Sequence, residues 1–351
     1  MKLPRLLSAL SLLLICFSSC KQDVDLYADY RKVPIIYGLL DANADTNFVK
    51  ITRAFYAPGD ATQVAMNPDS SNYPGRLDVR LVEYCNGEEI REIILDTITR
   101  SNKQPGVFYA PRQKLYYTTE KLGPNTKNRT YRYMLSVALP DSTLHVKADL
   151  VGSRSFKAKS LAVNFSKDYF GTSRPYYFFP ATNAAYYEVS LAFTYKERRT
   201  PESDSVPRTM YWKMGTFDTY YFANHVSDDG SFDFTYRPEH FYNLLREHLG
   251  DDTLTDGVVR FIGDYPIEIV ITACGKNLRQ YIYFNDPANS IDPGDPEFSL
   301  INGGLGVFSS RMTMRRKLRL GGTTVPELME NKYWGFMFMG GDWKSEPDET
   351  G

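Results

Sequence analysis

The sequence predicts a mainly β protein: an N-terminal immunoglobulin or fibronectin-like β-sandwich, then an α+β domain with antiparallel strands and a few short helices. Three observations carry this reading. Tyrosine and phenylalanine occur 26 and 21 times and take aromatics to 14% of the chain, and such residues suit half-buried pleated surfaces. Up to Val151, runs of alternating apolar and polar residues recur between turn residues, about seven strands in roughly 115 residues, the spacing of a sandwich. Beyond Gly152 the strand-like runs mix with segments of helical period, without the regular alternation of a parallel sheet.

In chain order, Val33–Leu40 and Phe48–Phe55 read as a hairpin around the polar stretch Asp41–Asp45. The stretch 57–75 holds Pro58, Gly59, Pro68, Pro74 and Gly75, too many breakers for a regular element, and is expected to be a loop. Arg76–Tyr84 alternates cleanly, Asn86-Gly87 supplies the pair a tight type I′ turn prefers, and Glu88–Ile98 returns. Val107–Thr119, Tyr131–Leu139 and Leu144–Val151 complete the first domain. In the second, strands are expected at 156–165, 186–195, 209–214, 231–236, 258–274 and 306–314. Pro238–Leu249 spaces Phe241, Leu244, Leu245 and Leu249 for a helix, with Pro238 suited to its first turn and Gly250 to its stop. Shorter helices are expected at 276–283 and 325–330. The domains are therefore read as 1–20 leader, 21–32 tether, 33–151 sandwich, 152–340 α+β domain and 341–351 tail.

The leader is the most specific stretch. Lys2 and Arg5 precede an apolar run from Leu6 to Phe17, too short to span a bilayer as a helix and fitting a signal-peptide core. Phe17-Ser18-Ser19-Cys20 resembles the lipobox of bacterial lipoproteins. That resemblance implies cleavage before Cys20 and its acylation, and so a membrane partner. Cys16 is a poorer site because Ile15 precedes it. The remaining thiols, Cys85 and Cys274, are expected to be free and buried, with a bridge between them as the alternative.

Little in the sequence points to catalysis. The formal net charge is -1, so nothing suggests nucleic acid. His240 and His248 stand two turns apart on the expected helix, too far to share one ion, and neither HExxH nor a cysteine pair is present. No G-x-S-x-G elbow occurs, and Gly303-Gly304-Leu305-Gly306 is not a dinucleotide fingerprint; it reads as a tight backbone approach. We expect no catalytic residue, no metal and no cofactor.

Two further motifs carry resemblances. Leu122-Gly123-Pro124 with Tyr131-Arg132-Tyr133 looks like the tyrosine corner of fibronectin-type sandwiches. The stretch 278–311 is similar to the C-terminal signature of a family of Bacteroidetes outer-membrane lipoproteins often encoded beside TonB-dependent receptors. Asn302, Gly303, Gly304, Leu305, Gly306 and Phe308 match its turn. The resemblance implies an accessory role at the outer membrane, with a TonB-dependent receptor as partner, and brings no catalytic residue. The function expected is a lipid-anchored, noncatalytic binding or accessory subunit of an outer-membrane uptake system. The alternatives are a structural surface protein such as a fimbrial or adhesin component, and a carbohydrate-active or peptide-cleaving enzyme.

The second domain holds four aromatic clusters, at Tyr176–Phe179, Tyr186-Tyr187, Tyr220–Phe222 and Tyr281–Phe284, and the tryptophans Trp212, Trp334 and Trp343. Exposed rings stack on sugars or peptides at small entropic cost, so if a glycan or peptide ligand is bound it is expected there, with Tyr176, Tyr177, Trp212, Tyr220 and Tyr221 as first candidates. The reading preferred for the clusters as a whole is that their rings fill a two-sided core or a domain interface. Ser142 and Ser205 follow aspartates in triplets resembling an O-glycosylation acceptor motif of exported Bacteroidetes proteins.

Overall fold

The computed structural model describes residues 33–55, 61–101, 112–152, 155–250, 257–286, 299–330 and 335–340. The leader with Cys20, the tether, Trp334, Trp343 and the tail lie outside the described residues. The protein is mainly β, with several antiparallel sheets and a few short helices.

The first eight strands are β1 (Pro34–Leu40), β2 (Asn47–Arg53), β3 (Asp78–Cys85), β4 (Glu88–Ile94), β5 (Asp96–Arg100), β6 (Gln113–Thr118), β7 (Tyr131–Ala138) and β8 (Thr143–Asp149). Strands β1, β2, β6 and β5 lie side by side in one sheet, and β4, β3, β7 and β8 form a second. Alternation decides which residues meet between them: β8 buries Leu144, Val146 and Ala148 and exposes the residues between. Ile36, Val49 and Ile51 from one sheet share a core with Val79, Leu81, Leu135 and Val137 from the other. Burying each such side chain contributes about 1.5–3 kcal/mol.

Two local expectations are corrected in this half. The run Glu88–Ile98 is not one return strand. Leu95 is fully buried and donates its amide to Val79 at 2.9 Å, and there the chain passes from the four-stranded sheet into the larger one. Period-two alternation continues through such a crossing, so the sequence pattern hides it. The stretch 57–75 is not wholly loop, because short helices α1 (Ala61–Ala65) and α2 (Pro68–Ser71) occupy part of it. Pro68 opens its helix, where a fixed φ helps and no amide bond is lost. Asn86 and Gly87 make the β3–β4 turn with φ of 53° and 95°, the doubly left-handed geometry of a type I′ turn. The phenol of Tyr133 accepts the Gly123 amide at 3.0 Å, the bond of a tyrosine corner, and donates to Glu83 at 2.6 Å.

The second half contains β9 (Lys157–Ala158), β10 (Ala162–Val163), β11 (Arg174–Phe179), β12 (Ala184–Arg198), β13 (Val206–Asp218), β14 (Phe232–Tyr236), β15 (Val259–Gly275), β16 (Leu305–Leu320) and β17 (Phe338–Gly340). Its helices are α3 (Thr219–Phe222), α4 (Pro238–Leu249), α5 (Lys276–Asn285) and α6 (Thr324–Met329), with a 3₁₀ turn at Lys167–Tyr169. The long strands β13, β12, β15 and β16 run antiparallel, and β14, β11 and β9 make a small separate sheet. Residues 156–165 are corrected from one strand to two short ones, β9 and β10, which join different sheets. Helix α4 buries Phe241, Tyr242, Leu245 and Leu249, and Phe241 stacks on Phe165 at 4.2 Å.

Strand β16 joins the two halves. Its first part, Leu305–Ser310, pairs in parallel with β1, whereas Arg311–Leu318 pairs antiparallel with β15. A single ten-stranded sheet therefore runs through both cores. The turn before β16 explains the glycines of the matched motif. A side chain at Gly306 would overlap the Ile36 carbonyl and one at Gly304 would press on the Pro34 carbonyl, while Gly303 has φ of 76° in open space. Phe308 enters the sandwich core opposite Gly38, where any larger residue would collide with its ring. Ser310 closes the joint: it accepts the Val151 amide at 2.7 Å and donates to the Asp149 carbonyl at 2.6 Å.

A buried carboxylate pins the far end. Glu327 on α6 accepts hydrogen bonds from Thr323 (2.6 Å), Ser166 (2.8 Å), the Lys167 amide (2.8 Å) and Tyr242 (3.0 Å). Burial pushes its carboxyl up, but these donors outweigh burial and hold it below the ordinary carboxylate value. A folded-state pKa below the unfolded one contributes stability above the unfolded value, which is lost as pH falls through the folded value. Glu327→Gln should therefore cost about 1–3 kcal/mol near neutrality, and the gap to the unsubstituted protein should narrow as pH drops below about 4.5 in denaturant titrations. At the β16 joint, Gly306→Ala should destabilise by several kcal/mol through steric overlap, about 3 or more, whereas Gly303→Ala should cost only about 1 through its backbone angle. Thermal melts of the two variants compare the effects.

Candidate functional site

The five rings singled out by the sequence do not form one site. Tyr176 and Trp212 are buried, at 1% and 8% exposure. Tyr176 packs against Phe234 and Trp212 against Phe165, so both are corrected to core residues. The reason is sheet geometry: their strands are covered on that face, and alternation turns the two rings inward. Tyr177 faces the other way on β11, beneath the Lys159 ammonium, and Tyr220 is 83% exposed. Ser142 and Ser205 are exposed, on the β7–β8 and β12–β13 connections. Cys85 and Cys274 are free thiols, but only Cys274 is buried; Cys85 is corrected to half-buried, since it ends β3 at the edge of the core, and burial pushes the Cys274 thiol up to about 12.

Tyr221 does belong to a cleft. A cavity of about 390 Å³ opens at the end of the β12–β13 hairpin, walled by Tyr186, Phe217, Asp218 and Tyr221 and by Arg279, Ile282, Tyr283 and Asp286. The last four lie at i, i+3, i+4 and i+7 on and just beyond α5, which places them on one helical face. Parts of three aromatic clusters, Tyr186, Tyr221 and Tyr283, thus converge here from separate elements. The volume lies within the range of small-molecule sites, about 300–1,000 Å³.

Asp218 organises the cleft. It caps α3 by accepting the Tyr221 amide at 3.0 Å and pairs with Arg279 at 2.6 Å. Those hydrogen bonds, the Tyr221 amide first, keep its carboxyl below the ordinary value despite partial burial. Tyr221 is held flat against His225, ring centroids 4.1 Å apart and planes 7° apart, and His225 bonds Asp233 at 3.1 Å. The Tyr221 hydroxyl is buried without a hydrogen-bond partner among the described residues, a group that gains by meeting a ligand or water. Burial raises the Tyr186 phenol above its ordinary value, so it stays a neutral donor and acceptor. The cleft thus offers aromatic faces, a cation, two carboxylates and neutral hydroxyls, groups suited to holding a polar ligand with an apolar face. Sequence reasoning missed Arg279 and Asp218, since an arginine and an aspartate so far apart show no motif.

Among the described residues, no group of three or more His, Cys, Asp and Glu is gathered as metal ligands, and no helix is long and apolar enough to cross a membrane.

If the core assignment is right, Trp212→Ala should cost about 3–5 kcal/mol, and Tyr220→Ala should stay within about 0.5 kcal/mol, measured by chemical denaturation. No known protein family matches the chain, and no curated protein sequence matches it.

Proposed function

We propose that the chain is a lipid-anchored, noncatalytic binding or accessory subunit of an outer-membrane uptake system, held to the membrane through Cys20, with the α5 cleft as its ligand site. The observation that carries the ligand site is the convergence of Tyr186, Tyr221 and Tyr283 around the Asp218–Arg279 pair. The lipobox-like Phe17–Cys20 stretch supports the anchor, and the motif at 302–308 supports the uptake context, including a TonB-dependent receptor as partner. The ligand classes that fit the lining are glycans and short peptides, both of which combine hydrogen-bonding groups with faces that stack on rings.

A glycan and peptide array probed with the full chain tests the site. Tyr283→Ala and Arg279→Ala should each weaken binding roughly tenfold or more, the loss of one buried contact of about 1.4 kcal/mol, while leaving the melting temperature nearly unchanged because both side chains are partly exposed. Ligands bound equally by both variants would rule the cleft out. For the anchor, Cys20→Ser should abolish palmitate labelling and Cys16→Ser should not; several buried acyl chains supply the anchoring energy.

A further inference from the structure

The end of the sandwich from which the tether leaves has a distinctive surface. Val33 is the first described residue, and β1 begins at Pro34 opposite Arg53, the last residue of β2. Following the register across the sheet, β6 begins beside Arg112 at this same end, and Arg100 closes β5 opposite Gln113. Three arginines therefore line one end of the sheet. Arg100 and Arg112 are exposed, and Arg53 is half-buried, donating to the Asp69 carbonyl rather than to its carboxylate. Asp41, Asp45 and Asp96 sit at the opposite end, where Lys121 pairs with Asp45 and Arg76 with Asp96. The tether end of the sheet thus carries a surplus of cations, whereas at the far end Lys121 and Arg76 offset Asp45 and Asp96.

Apolar side chains accompany these cations. Tyr37, on the outer face of β1, is 39% exposed, and Met66, beside α1, is 51% exposed. Helix α5 descends along β16 toward this end. Its Asn277 donates to the Phe308 carbonyl, the Leu278 amide to Ser309, and the Tyr281 hydroxyl meets that of Tyr37, the partner of Val307. Another turn, about 5 Å, covers the height of two strand residues and brings Phe284, 51% exposed, to the level of Ile35. Phe284 follows Tyr281 by three, so it lies on the helix side turned to β1, away from the face that lines the cleft. Beside Tyr37 lies a hollow of about 540 Å³ with Ile35, Arg53, Phe55 and Arg112 also in its walls.

We infer that this face rests on the phospholipid surface to which the chain is anchored, with Tyr37 and Phe284 at the headgroup boundary and Arg53, Arg100 and Arg112 facing lipid phosphates. The inference rests on the acylation of Cys20 proposed above. The tether, residues 21–32, reaches at most about 40 Å, so the anchor keeps the bilayer within range of this end. Aromatic rings favour the interface between hydrocarbon and water, and cations near an anionic surface gain within a Debye length, about 10 Å at moderate salt. The far end, where Lys121 and Arg76 offset Asp45 and Asp96, has no such surplus of cations among the described residues to favour the inverted orientation.

The test uses the full acylated protein in phosphatidylcholine vesicles, with and without phosphatidylglycerol, doped with lipids brominated on the acyl chain. Phe284→Trp and Tyr211→Trp are compared after subtracting the emission of the unsubstituted protein; Tyr211 lies on β13 and is 78% exposed. Quenching should be several-fold stronger, about threefold or more, for Phe284→Trp, greater still with phosphatidylglycerol, and roughly halved by adding Arg100→Glu with Arg112→Glu. Equal quenching of the two variants overturns the proposal, as does protection of position 284 in native outer membranes but not in vesicles, which would assign the face to a protein partner. Should Phe284→Trp fold poorly by circular dichroism, Tyr37→Trp gives the same comparison. Palmitate labelling is read on the same samples: unlabelled protein overturns the anchor itself, whereas labelled protein without quenching overturns only the docking face.

Discussion

The parallel pairing of β1 with the first part of β16 is the contact on which the rest depends. It joins residues some 270 positions apart, Ile35 to Leu305 through Leu40 to Ser310, and so costs more chain entropy than any hairpin in the protein. Several local features make it possible. Glycines at 304 and 306 let the β1 carbonyls approach, Gly38 leaves room for the Phe308 ring, and Ser310 satisfies backbone groups of the β8 exit. Without this strand the sandwich would lose Ile301 and Phe308 from its core, and β1 would become an unpaired edge beside β2.

Two other buried polar side chains, Glu83 and Arg260, are satisfied in the same way. Glu83 lies inside the sandwich at 5% side-chain exposure, but Tyr133 and Arg91 both reach it, and Arg91 also donates to the Lys121 carbonyl. In the second core Arg260 is fully buried, with Nε on Glu197 at 3.0 Å and Nη1 on the Phe336 carbonyl at 2.8 Å. A buried ion pair adds little net stability over apolar packing, but removing one partner costs about 3–5 kcal/mol. Arg260 therefore fixes where the 335–340 segment returns along β15, a matter of register more than of strength.

Local rules made much of this legible. Asn86-Gly87 announced its turn through the need for two left-handed residues, and Pro238 to Gly250 announced α4 through its caps and helical spacing, because both depend only on neighbours in sequence. The tyrosine corner was readable for the same reason, since Gly123 and Tyr133 lie ten residues apart. What stayed hidden was decided at long range. Nothing local marks Leu95 as a crossing between sheets, or Leu305–Ser310 as the partner of β1. Candidate rings divided along the same line. On a strand a tyrosine or tryptophan carries no mark of whether its face is covered, so Tyr176 and Trp212, core residues both, looked like Tyr221. The Asp218–Arg279 pair became visible only when the β12–β13 hairpin end and α5 were placed together.

Helix α5 then carries an unusual share of the molecule's surface chemistry for its size. It buries no residue fully, so it is held by its ends and by polar contacts: Asn277 and Leu278 to β16, Arg279 to Asp218, Tyr281 to Tyr37. Elements with few buried apolar contacts open at lower free energy than the core around them. One side of α5 presents Arg279, Ile282 and Tyr283 to the cleft, and another sets Tyr281 against Tyr37. Helix α5 therefore borders both the cleft and the Tyr37 face, and β16 holds it in place through Phe308 and Ser309.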